Sequence, residues 1–144
     1  MTKPAPTQQQ LHQQLLTCMR GEWHSMVVMP ASPTESASSV AHALADVSLL
    51  VRGKKARLFS AEGLEVNDVS RIIVDMMQHI AGGGLAIVSI DSVIGAQAGI
   101  PVTLAADVAL LVVQLGVTET DHARRTVDMV GVQKFLGAVT VEAV

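Results

Sequence analysis

The residues best suited to chemistry lie in two turns that follow apolar segments of the chain. The first turn comes after apolar residues 23–29 and before a helical pattern of aliphatic residues. A strand, a turn and a helix N-terminus form the frame of a phosphate-binding loop, in which backbone N–H groups and the helix dipole face an anion. The second turn follows an apolar segment that ends at Asp91. The residues of these turns that could face a phosphate group are Thr34, Glu35, Ser36, Ala37, Ser38, Ser39 and Asp91.

These residue types supply only part of what such a loop needs. The hydroxyls of Ser38 and Ser39 and the carboxylate of Asp91 are oxygen ligands of the kind that hold Mg²⁺. A working loop also needs glycines for close approach to phosphate and a lysine for the outer phosphates. Residues 34–39 contain neither. A structural alternative stays open, because serine is a common helix N-cap residue and aspartate a common turn residue.

Other polar residues give weaker indications of a site. The five histidines have neither HxH nor HExxH spacing, so no metal site is predicted. Asp121, His122 and Asp128 could act as acid and base partners, but they share a predicted helix with two arginines, which favours a solvated charged face. The single cysteine, Cys18, excludes a disulfide framework and a cysteine-rich zinc site. We therefore assign no catalytic residue.

Alternating strands and helices must position the two turns. Helical spacing predicts helices over residues 8–20 and 67–80, between Ser38 and Gly53, and after Thr118, with a turn of helix in the loop that follows Asp91. The predicted strands are residues 23–29, 56–60, 85–91, 108–114 and 135–141. Their continuous apolar character is typical of parallel strands that are buried on both faces. We predict one α/β domain over residues 8–144, with three layers and a mostly parallel sheet of about five strands, and a flexible tail over residues 1–7.

Composition narrows the classes of function. The chain has 144 residues, 49% of them hydrophobic, and a formal net charge of -3. Mild acidity without a basic run argues against nucleic-acid binding. No uniformly apolar stretch reaches the length of about 18 residues that a transmembrane helix needs, and the N-terminus lacks the pattern of a signal peptide. We expect a cytoplasmic protein with no direct membrane insertion.

Three segments resemble one known family. Ser32–Ser39 reads SPTESASS and is followed by AHALA at residues 41–45. This stretch resembles the first loop and helix, SPGEGKST and AxxLA, of the cytoplasmic P-loop ATPases and tyrosine kinases of bacterial polysaccharide export, which are related to the deviant-Walker partitioning ATPases. The segment LAIVSIDSV is similar to the Walker B strand of that family and places Asp91 on its aspartate. Residues 105–141 resemble its closing strand, helix and strand, and the three segments together span most of residues 24–141.

The chain departs from the family pattern at the positions that carry catalysis. Thr34 and Ser36 replace the two glycines of the loop, and Ala37 replaces its lysine. Glu62 is the only acidic residue near the place of the family's second aspartate motif, and the proline pair after the Walker B aspartate is absent. Phosphoryl transfer depends on positioning and charge neutralisation, so loss of the lysine removes an essential cation. We predict that the chain is not an enzyme, and the absence of tyrosine excludes tyrosine autophosphorylation.

The leading hypothesis is a non-catalytic pseudo-ATPase domain that acts by protein–protein contact and needs no cofactor. The resemblance implies a bacterial exopolysaccharide synthesis or export system, with a membrane polysaccharide copolymerase or a catalytic paralogue as partner. It also implies a homo- or hetero-oligomer that is peripheral to the inner membrane through that partner. Two alternatives stay open. One is a switch that binds ATP or ADP with magnesium through Ser38, Ser39 and Asp91 and signals through oligomerisation, and the other is a small-molecule enzyme that uses the same cleft.

Overall fold

Five apolar segments form one sheet in the computed structural model, which describes residues 13–116, 118 and 120–142. All neighbouring strands are parallel, and their order is β2-β3-β1-β4-β5. The strands are β1 (Ser25–Pro30), β2 (Arg57–Ala61), β3 (Ala86–Ile90), β4 (Val108–Leu115) and β5 (Phe135–Glu142). The prediction of a parallel sheet of about five strands is confirmed. The predicted tail over residues 1–7 lies outside the described residues.

Helices cover both faces of this sheet. The helices are α1 (residues 13–18), α2 (Ser38–Arg52), α3 (Val69–Ala81), α4 (Gly99–Ala105) and α5 (Thr120–Val130). Short 3₁₀ helices at Val66–Asp68 and Val132–Lys134 precede α3 and β5. None of the helices within the described residues is long and apolar enough to cross a bilayer.

The central strand shows why the apolar runs are continuous. All six residues of β1 are buried. Met26 and Val28 belong to the core formed with α1 and α2, whereas Val27 and Met29 belong to the core formed with α3, α4 and α5. Because successive side chains of a strand point to opposite faces, a strand covered on both sides must be apolar throughout. The predicted three-layer arrangement is confirmed.

The interpretation of Ser38 or Ser39 as the N-cap of a helix is wrong. The N-cap of α2 is Ala37, with no side-chain cap, rather than Ser38 or Ser39. The hydroxyl of Ser36 accepts the backbone N–H of Ser38 at 3.2 Å and so satisfies an amide at the start of the helix.

The loop after β3 carries more than a turn of helix, because α4 has seven residues. Its first turn contains Pro101, where a missing backbone N–H is tolerated. Gly99 permits the close approach of α4 to β3, since a Cβ atom at this position would lie 2.8 Å from Cδ1 of Ile90. The start of α4 therefore packs closely against the end of β3.

The strand order creates a crevice beyond the carboxyl end of β1. From β1 the chain continues into α2 on one face, whereas its neighbours β3 and β4 continue into α4 and α5 on the other face. Connections that diverge in this way open the sheet at its carboxyl edge, where ligands bind in open α/β folds. The turns after β1 and β3, which contain the candidate residues, therefore meet at this crevice.

Arg52 joins the end of α2 to the turn between α1 and β1. Its Nη1 donates to the carbonyls of Met19 at 3.2 Å and Gly21 at 2.7 Å, and its Nη2 donates to the carbonyl of Trp23 at 2.6 Å. The guanidinium carbon lies 5.1 Å from the centroid of the Trp23 ring. The indole Nε1 of Trp23 in turn donates to the carbonyl of Cys18 at 2.9 Å. One side chain thus satisfies three carbonyls in a segment without regular structure.

We expect Arg52→Ala to lower the free energy of unfolding by about 2–4 kcal/mol, because it removes three charge-assisted hydrogen bonds and a cation–π contact. Arg52→Lys keeps the charge but lacks the planar fork, so its stability should lie between those of Arg52→Ala and the unmodified protein. Urea unfolding measures both values. An Arg52→Ala protein within about 0.5 kcal/mol of the unmodified one would contradict this role.

Candidate functional site

The structure places the predicted loop residues at the crevice with different degrees of exposure. The loop lies between β1 and α2. Ala37, at the position of the lysine, is fully buried. Thr34, Ser36 and Ser39 are exposed, and Glu35, Ser38 and Asp91 are half-buried. The buried methyl group of Ala37 cannot reach a ligand in the crevice.

The loop uses its own backbone amides in internal hydrogen bonds. The N–H of Glu35 donates to the carbonyl of Ser32 at 3.2 Å, and the N–H of Ser38 donates to Oγ of Ser36 at 3.2 Å. No residue other than glycine has a positive φ in the described part of the chain. Thr34 and Ser36, which stand where the loop of the polysaccharide-export ATPases has glycine, therefore have ordinary backbone angles. Two amides that an anion would need are therefore already occupied.

A carboxylate lies against the same loop. Oγ of Ser36 donates to Oε2 of Glu62 at 3.0 Å, and Oγ of Ser89 donates to Oε1 of Glu62 at 3.2 Å. Glu62 follows β2 and Ser89 belongs to β3, so the two hydroxyls hold this carboxylate between the strand ends and the loop.

Asp91 makes a local contact at the ends of β2 and β3. Its Oδ2 accepts the N–H of Gly63 at 2.7 Å. A cavity beside it, between the end of β2 and the start of α4, has a volume of about 10 Å³. This space is no larger than a single water molecule requires. Asp91 therefore acts here as a turn residue.

Thr118 connects the end of β4 to the loop. Its Oγ1 donates to Oε1 of Glu35 at 2.6 Å and accepts the N–H of Gln114 at 2.8 Å. The other carboxylate oxygen of Glu35, Oε2, is buried and has no hydrogen-bond partner among the described residues. A buried acceptor without a donor is costly, and further negative charge beside it would be unfavourable.

Ser32 and His122 form a second contact across the crevice. Oγ of Ser32 lies 3.1 Å from Nδ1 of His122, and Oγ1 of Thr126 donates to the carbonyl of Ala31 at 3.3 Å. A serine beside a histidine can act as nucleophile and base. Ser32 is only 5% exposed, however, so a substrate cannot reach its hydroxyl in this conformation. The contact fixes α5 against the loop.

The charge at the crevice is negative. Glu35, Glu62 and Asp91 lie around it, and none of them has a lysine or arginine nitrogen within 4.0 Å among residues 13–116, 118 and 120–142. The same part of the chain contains no group of three or more histidine, cysteine, aspartate or glutamate side chains that could hold a metal ion. This field disfavours a polyphosphate, and no described lysine or arginine forms an ion pair with these carboxylates that would offset the repulsion.

The sequence predicts that the candidate residues lie at the carboxyl end of the sheet, but it does not predict all the contacts that form there. Glu35, Ser36 and Asp91 are among the predicted residues, whereas the contacts of Ser32 and Thr118 are not predicted. The sequence does contain a signal for these contacts, because polar residues follow both β1 and β4. Such residues come together where the connections of the two strands diverge.

No protein-family model matches the chain, and no curated protein sequence matches it significantly. The resemblance to the polysaccharide-export family therefore depends on the motifs themselves.

We expect Thr118→Val to lower the free energy of unfolding by about 1–2 kcal/mol, because Gln114 loses the acceptor of its N–H and Glu35 loses the donor to its carboxylate. Thr118→Ser keeps the hydroxyl and should cost less. Denaturant unfolding of the three proteins measures the difference. Equal stability of the valine and serine variants would show that the hydroxyl contacts do not contribute.

Proposed function

We propose that this chain is a non-catalytic pseudo-ATPase domain that acts by binding other proteins in a bacterial exopolysaccharide synthesis or export system. The observation that carries the proposal is the position of the Glu62 carboxylate. It accepts the hydroxyls of Ser36 and Ser89 at the loop where a P-loop ATPase would hold phosphate. The exopolysaccharide system is the part of the proposal that the motif resemblance supplies.

Charge supports the absence of nucleotide binding. An ATPase loop offers a lysine and converging amides to the phosphates. Here Ala37 is buried, and two loop amides donate within the loop. A nucleotide would have to displace Glu62 and lie near Glu35, whose buried oxygen already lacks a donor. Each of these steps raises the free energy of the complex.

The contacts across the crevice also oppose a nucleotide-dependent switch. Opening the space between the loop and α5 would break the Ser32–His122 and Glu35–Thr118 contacts. Each hydrogen bond contributes about 0.5–1.5 kcal/mol, or more where a charged group takes part. No phosphate-binding cation in the described crevice would offset that cost.

Exposed apolar side chains support a role in protein contact. Leu49 and Leu50 are exposed near the end of α2, and Val74 and Met77 are half exposed one turn apart on α3. Exposed aliphatic residues at more than one helix provide surface that a partner can cover. The proposed partner is a membrane polysaccharide copolymerase or a catalytic paralogue.

A thermal-shift titration with magnesium-ATP and magnesium-ADP tests the nucleotide part of the proposal. A ligand at a hundredfold excess over its Kd stabilises the native state by about 2.7 kcal/mol. We expect no change in the midpoint of the unmodified protein at millimolar nucleotide. The matched comparison is Thr34→Gly/Ser36→Gly, which supplies glycines at two exposed positions and leaves the buried Ala37 in place; it should show no shift either, because the loop still has no lysine. A raised midpoint of the unmodified protein would instead support the switch.

Binding to the purified cytosolic domain of a copolymerase, or to a catalytic paralogue, tests the partner part. We expect binding without nucleotide, unchanged by magnesium-ATP, and weakened about tenfold by Leu50→Asp or Met77→Asp. Arg124→Ala, at an exposed polar position on α5, is the control and should leave the affinity unchanged. Absence of binding, or binding that requires nucleotide, would overturn this part.

A further inference from the structure

We draw no further inference here: the strongest candidate, the groove between α1 and the exposed residues 136–138 of β5, is open to any extended segment, and nothing in the structure shows what covers it.

Discussion

The carboxylate of Glu62, held by the hydroxyls of Ser36 and Ser89, joins the loop after β1 to the ends of β2 and β3. This contact is the one on which the arrangement of the crevice depends. It orients Ser36, whose hydroxyl also accepts the first amide of α2, and so it determines where that helix begins. With the loop in this position, Glu35 reaches Thr118 and Ser32 reaches His122. Side chains of the chain itself thus hold the loop against the ends of the neighbouring strands.

The fold does not depend on the chemistry of this loop. β1 is buried by α1 and α2 on one face and by α3, α4 and α5 on the other. The crevice results from the direction in which the connections leave β1, β3 and β4. Aliphatic side chains in the two cores, Ala37 among them, supply the stability, so substitutions of the exposed residues Thr34 and Ser36 can change the loop without loss of the sheet. This P-loop-like α/β architecture therefore does not require a lysine or glycines in the loop after β1.

Local patterns predict most of the fold. The run that begins at Val108 and the run that begins at Phe135 correspond to β4 and β5, because strands buried on both faces must be continuously apolar. Helical spacing likewise predicts α2 and α3, which place apolar residues on the sheet. Each of these patterns involves residues that are close together in the sequence, so it can be recognised without the structure.

The candidate site is less predictable because its contacts join distant parts of the chain. Ser32 meets His122 across 90 positions, and Glu35 meets Thr118 across 83. The charge pattern of α5 favours a solvated face, yet His122 on that helix contacts the loop. The hydrogen bonds from Arg52 to three backbone carbonyls cannot be predicted from the sequence either, because an irregular turn has no periodic pattern.

The contact of Arg52 with Trp23 also has an optical consequence. The chain contains one tryptophan and no tyrosine, so nearly all its ultraviolet emission comes from a single indole at the junction of α1 and β1. That ring is buried, donates to Cys18 and lies beside a guanidinium. Intrinsic fluorescence will therefore follow the amino end of the sheet, and a rearrangement confined to the opposite end will leave the spectrum unchanged.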